Sequence, residues 1–157
     1  MDKNHLPISF GVFKPVGHVV MALRSDVDLQ TARQALLSQG FEADDLVAYT
    51  PQEMAEQVDA EVPHASVLAA IGQELNLILA HRAMARSGCS FLVVATPHQA
   101  RIDTAAAVAR GVPAIAAQHY GRFIIEELID DPSGNTEQRF ESPDRGLDLP
   151  AAGHSNR

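Results

Sequence analysis

Residues 89–99 read Cys-Ser-Phe-Leu-Val-Val-Ala-Thr-Pro-His-Gln, and the apolar run from Phe91 to Ala95 constrains the fold more than any other stretch. It is short, β-branched in the middle and closed by Thr96-Pro97. A half-exposed strand alternates apolar and polar residues; this run does not, so both of its faces must be covered. The run therefore predicts a central strand, with one helix delivering the chain into it and another leaving it.

The 157 residues make one domain, large enough to bury about 70% of its unfolded surface. Apolar residues make up 46% of the chain, so a core is available, while aromatics are only 5% and Trp is absent. Alanine supplies much of that core, which points to closely packed helices. The net charge of −8 argues against nucleic acid and anionic membranes as partners, because both need a positive patch that releases counterions. Cys89 is the single cysteine; it cannot form an internal disulfide and reads as a core thiol beside the strand. No signal peptide and no uncharged run of transmembrane length is visible, which predicts a cytoplasmic protein.

In chain order, residues 1–17 read as an extended N-terminal arm, with Leu6, Ile8, Phe10 and Val12 at every second position and Pro7 and Gly11 barring a central place in a sheet. His18 to Leu23 is the first core strand. Ser25 and Asp28 have helix-start spacing, and the helix over about 27–39 turns Leu29, Ala32, Leu36 and Leu37 inward. Gly40 ends it where φ must be positive. A second strand at 45–49 stops at Thr50-Pro51-Gln52-Glu53, a capping box with proline in the first helical position.

A short acidic helix follows to about residue 60, broken by Pro63. The long helix over about 65–87 carries Val67, Leu68, Ile71, Leu75, Ile78 and Leu79 on one apolar face, with Ala80 and Ala83 on a small-residue side, and reads as mostly buried. Thr96-Pro97-His98-Gln99 repeats the device of residues 50–53 and starts a helix that stops at Gly111. A fourth strand spans 112–118, and Phe123 to Ile129 reads as a two-turn closing helix. From Asp130 the composition turns to Pro, Gly, Ser, Asp and Glu. Residues 130–157 thus read as a polar, acidic, flexible tail with Phe140 and Leu147 as its only anchors.

The fold class is therefore α/β: residues 18–129 form a single domain of two βαβ halves, 18–50 and 90–120, with an inserted helical pair. Such halves build a ferredoxin-like sheet, the preferred reading, or alternatively a small doubly wound parallel sheet.

The strand and helix pattern, together with Gly-Phe-Glu-Ala-Asp-Asp-Leu (40–46), Thr-Pro-Gln-Glu-Met (50–54), Gly-Gln-Glu (72–74), Phe-Leu-Val-Val (91–94) and Tyr-Gly-Arg-Phe-Ile-Ile-Glu-Glu-Leu (120–128), resembles a group of small bacterial proteins. These are distantly similar to the general-stress-protein domain, which carries a helical hairpin between two βαβ halves. The resemblance covers about residues 18–129 and implies a stress-associated role. Its motifs are structural and supply no active site. The hairpin of that wider domain is glycine-rich, whereas this one has only Gly72.

Two constellations carry chemistry. Glu74 and His81 lie one heptad apart on one helix face. Desolvated carboxylate and imidazole suit zinc or iron, with His119, His64 or His18 as further donors. Seven residues rise about 10.5 Å, however, whereas ligand pairs on one helix normally sit three or four apart, so a hydrogen-bonded polar pair is the preferred reading. The second constellation is an anion site at the end of the central strand: Thr96, His98, Gln99 and Arg101, completed by Tyr120, Gly121 and Arg122. No glycine-rich phosphate loop accompanies it, and no hydrolase motif occurs.

The reading that results is a non-enzymatic, stress-associated α/β protein that self-associates as a homodimer and needs no cofactor. A sensor of a small anionic ligand or nucleotide at the second constellation is the alternative, and a metalloprotein using Glu74, His81 and His119 is the third.

Overall fold

The run at 91–95 forms a strand with a neighbour on each side. The computed structural model describes residues 8–9, 12–13, 15–65, 72–122 and 124–129. In chain order these form β1 (Ile8–Ser9), β2 (Val12–Phe13), β3 (His18–Leu23), α1 (Asp26–Ser38), a 3-10 turn (Ala43–Asp45), β4 (Leu46–Tyr49), α2 (Pro51–Ala65), α3 (Gly72–Arg86), β5 (Ser90–Ala95), α4 (Gln99–Gly111), β6 (Ala116–Tyr120) and β7 (Ile125–Glu127).

Five strands make one sheet in the order β4-β5-β3-β6-β7, and every pairing in it is antiparallel. The parallel, doubly wound alternative is thereby overturned. The α/β class holds, with the two βαβ units interleaved: β5 lies between β3 and β4, and β3 lies between β5 and β6. Unalternating strands report only that both faces are covered, which is why the sequence left the direction of pairing open.

Phe91, Leu92, Val93 and Val94 are all fully buried because alternate residues enter opposite layers. Leu92 and Val94, with Val19, Met21 and Leu23, meet Leu29, Ala32 and Leu36 of α1 and Ile102, Ala105 and Ala109 of α4. Phe91 and Val93, with Val20, Ala22, Tyr49 and Tyr120, meet Met54 and Val58 of α2 and Ala85 of α3. Cys89 joins this second layer as a buried thiol. The helical pair α2–α3 is therefore one cover of the sheet, and α1 with α4 is the other.

Local signals built several elements as expected. The Ser25 side chain accepts the Asp28 amide at the start of α1. At its end Gly40 takes φ +88°, and the Gly40 and Phe41 amides donate to Leu37 O and Leu36 O, the paired bonds of a Schellman stop. Thr50 and Glu53 bond each other's backbone amides at 2.9 and 3.1 Å and start α2.

Elsewhere the structure departs from the pattern. α2 runs through Pro63 to Ala65; a proline there removes one hydrogen bond near the helix end, far less than a mid-helix break. The expected helix at 123–129 is instead the edge strand β7, paired with β6. The fourth strand starts at Ala116, not at 112. The arm is no single extended segment: β1 and β2 pair as a small hairpin, and β2 lies beside α2. Leu6 and Phe10 of the arm, the 66–71 start of the long helix and the 130–157 tail with Phe140 and Leu147 lie outside the described residues.

Candidate functional site

Two of the buried polar side chains among the described residues, His81 and Gln118, meet under α3. Its last two turns sit on the sheet through His81 and Ala85, both buried, whereas Ala80 and Ala83 face outward. Leu79, expected on the core face, is 42% exposed. About half a turn of α3 separates the buried imidazole from the exposed leucine, so the two lie on opposite faces of the helix.

His81 Nε2 lies 3.1 Å from Gln118 Oε1, and the amide nitrogen of Gln118 donates to Glu127 Oε2 at 3.0 Å. Because an amide oxygen only accepts, the neutral imidazole carries its proton on Nε2. The chain His81–Gln118–Glu127 thus passes from α3 through β6 to β7. The imidazole meets the Phe91 ring edge-on at 5.7 Å and lies tilted against Tyr120 at 6.5 Å. Burial lowers its pKa from 6.5 to about 4, and the hydrogen bond to Gln118 offsets part of that shift. At neutral pH this is a neutral donor held among apolar rings.

The metal constellation does not assemble. Gln118 faces His81, and the next residue, His119, projects to the opposite face of the sheet, as the layering of Ala117 and Tyr120 requires. His119 instead sits opposite Glu126 on β7; burial lowers its pKa, Glu126 raises it and His18 lowers it. The Glu74 side chain lies outside the described residues, and no group of three metal-ligating side chains occurs among those described. Sequence reasoning anticipated a buried, hydrogen-bonded His81 but missed its partner. Gln118 sits in a strand 37 residues away, and only the register of β6 brings it under α3.

The anion constellation comes together only in part. The end of β5 and the end of β6 do meet, bridged by Gly17: its amide donates to Tyr120 O at 2.8 Å and its carbonyl accepts the Thr96 amide at 2.9 Å. The side chains, however, are engaged within the chain. Thr96, expected to cap α4, is buried and its hydroxyl donates to Gly17 O at 3.2 Å. His98 occupies the cap position without a side-chain hydrogen bond. Gln99 donates to Asp103 on its own helix. The Arg101 guanidinium stacks 4.2 Å over Phe41 and bonds Asp45 at 3.3 Å. Tyr120 is buried on the α2–α3 side, while Arg122 is exposed. Gly121 is needed for closeness: a Cβ there would stand 2.7 Å from Ile124 O.

No family model, no curated protein and no solved structure matches this chain. Among the described residues, no helix is long and apolar enough to cross a membrane.

Proposed function

We propose that this chain is a non-catalytic, stress-associated α/β protein that self-associates through its helical pair. The observation that carries the reading is Leu79, exposed on a helix whose preceding turns hold Leu75, Leu77 and Ile78. Full burial of one leucine is worth about 1.5–3 kcal/mol, and a twofold contact counts each such residue twice. Asp59 and Ala60 of α2 are exposed as well, and the Asp59–Arg82 ion pair at 2.8 Å ties the two helices to each other. The helical pair thus holds together as a unit, with Leu79 on the face of α3 turned away from His81 and the sheet.

The stress association rests on the family resemblance. The anion-sensor alternative has less support, because the hydroxyl of Thr96, the amide of Gln99 and the guanidinium of Arg101 already have partners within the chain.

Sedimentation velocity and native mass spectrometry at micromolar concentration test the reading. The expected result is a ligand-free dimer for the wild type and, for Leu79→Glu, a folded monomer with an unchanged circular dichroism spectrum and a lower thermal midpoint. A wild-type monomer, or a dimer indifferent to Leu79→Glu, overturns it.

A further inference from the structure

We propose that His81 is an acid-release latch: a second proton on its imidazole frees the α2–α3 pair from the sheet while α1 and α4 stay docked on the other face. The inference stands apart from self-association and rests on where the ring sits. Among the described side chains of α3, His81 makes a hydrogen bond to the sheet, through Gln118. With Nε2–H already given to Gln118, an added proton must go to Nδ1. The resulting imidazolium would lie among Phe91, Tyr120 and the apolar layer of Met54, Val58 and Val93. A charge so placed, with one neutral amide oxygen as its described acceptor, costs several kcal/mol. Lifting α3 into water removes that cost.

Among the described side chains, the charged and titratable groups on the surrounding elements do not compensate; those of Glu61, His64 and Glu74 lie outside the described residues. β5 (Ser90–Ala95) contains none, and Cys89 just before it is a free, buried thiol. β6 contributes Tyr120 on this face, and β4 contributes Tyr49. β3 offers only His18, at its far end. α2 carries Glu53, bonded to the Thr50 amide, and Glu56, bonded to Gln52. Its Asp59 is held by Arg82 of α3, and Arg86 lies exposed in the last turn of α3. Glu127 of β7 accepts from the amide nitrogen of Gln118, whose oxygen takes the imidazole N–H. Losing the Asp59–Arg82 pair would part α2 from α3, not α3 from the sheet.

The sign follows from the depressed pKa. The released imidazole takes a proton near 6.5 and the docked one near 4, so docking is fully favoured above 6.5 and weakens as pH falls towards 4. Between pH 7 and pH 5 the opening constant of α3 should rise about twenty-fold.

Hydrogen exchange measured by mass spectrometry on the full chain reads this directly, with intrinsic exchange rates corrected for pH. Peptides covering 79–86 should lose protection between pH 7 and pH 5, while peptides from α1 and α4 hold theirs. Unchanged protection at 79–86, or an equal loss in all the helices, overturns the proposal. In His81→Phe the response should vanish; if it persists, Asp59 or Glu127 carries it and the latch is refuted. Should that variant fail to fold, His81→Gln supplies a second reading: its side-chain amide keeps an N–H for Gln118 but takes no proton, so the acid response should vanish, and a wild-type response refutes the latch.

Discussion

Thr96 gives both its amide and its hydroxyl to one acceptor, the carbonyl of Gly17, at 2.9 and 3.2 Å. The residue expected to begin α4 is thereby turned backwards, onto the loop that leads into β3. Gly17 in turn donates its amide to Tyr120, so one glycine ties the ends of three adjacent strands.

Gly17 holds φ at +78°, and a Cβ there meets nothing within 4 Å. Replacement by alanine therefore adds backbone strain without a clash, of about 1–2 kcal/mol. Gly17→Ala should lower the thermal midpoint accordingly and leave the circular dichroism spectrum unchanged. An unaltered midpoint would mean that the loop relaxes at no cost.

The two Thr-Pro turns should respond differently to loss of their hydroxyls. Thr50→Ala removes one arm of a capping box and should cost about 1 kcal/mol, read as fraying of α2 in amide exchange. Thr96→Val should cost a similar amount through the lost bond to Gly17 but leave the first turn of α4 as protected as before. Fraying of α4 in that variant would restore Thr96 as a helix cap.

Arg101 acts as a brace between α4 and the turn before β4. Arg101→Ala removes the stacking on Phe41 and the bond to Asp45, with an expected loss of about 1 kcal/mol. Thermal shifts measured with inorganic phosphate and a nucleotide panel should be the same in the variant and the wild type. A ligand-induced shift present only in the wild type would return Arg101 to an anion site.

Gln118 bonds His81 through its oxygen and Glu127 through its nitrogen. Gln118→Leu leaves the buried imidazole N–H without its acceptor and should cost about 1–3 kcal/mol in denaturant unfolding. Adding His81→Phe should recover part of that loss, because the stranded donor is then gone. Strict additivity in this double-mutant cycle would show that the two side chains are not coupled.

The parts of the fold that sequence made legible are those encoded within a few residues of each other. Ser25 with Asp28, Leu37 with Gly40, Leu36 with Phe41, and Thr50 with Glu53 each set an element boundary through bonds that span three to five positions. The central strand was legible from its own composition. What escaped notice depends on partners far along the chain. Ile125–Glu127 is a strand because the outer edge of β6 presents backbone groups that need pairing, and three residues carry no periodicity to announce it. Leu79 faces outward because His81, about 200° further round α3, is the residue that faces the sheet, and the helix pattern alone does not say which stripe docks. The candidate site was half visible: a buried histidine was expected, and the glutamine that receives it was hidden in a strand register.

The strand order has a consequence for synthesis. β3 occupies the middle of the sheet, yet its two neighbours span residues 90–95 and 116–120. A chain emerging from the ribosome therefore presents His-Val-Val-Met-Ala-Leu with both edges open until nearly the whole domain has been made. That segment is apolar and uncharged, as strands prone to intermolecular pairing are, and its closure waits on contacts of long sequence separation. The nascent chain thus depends on its first helix, α1, to keep one face of β3 covered while the partners are still unmade.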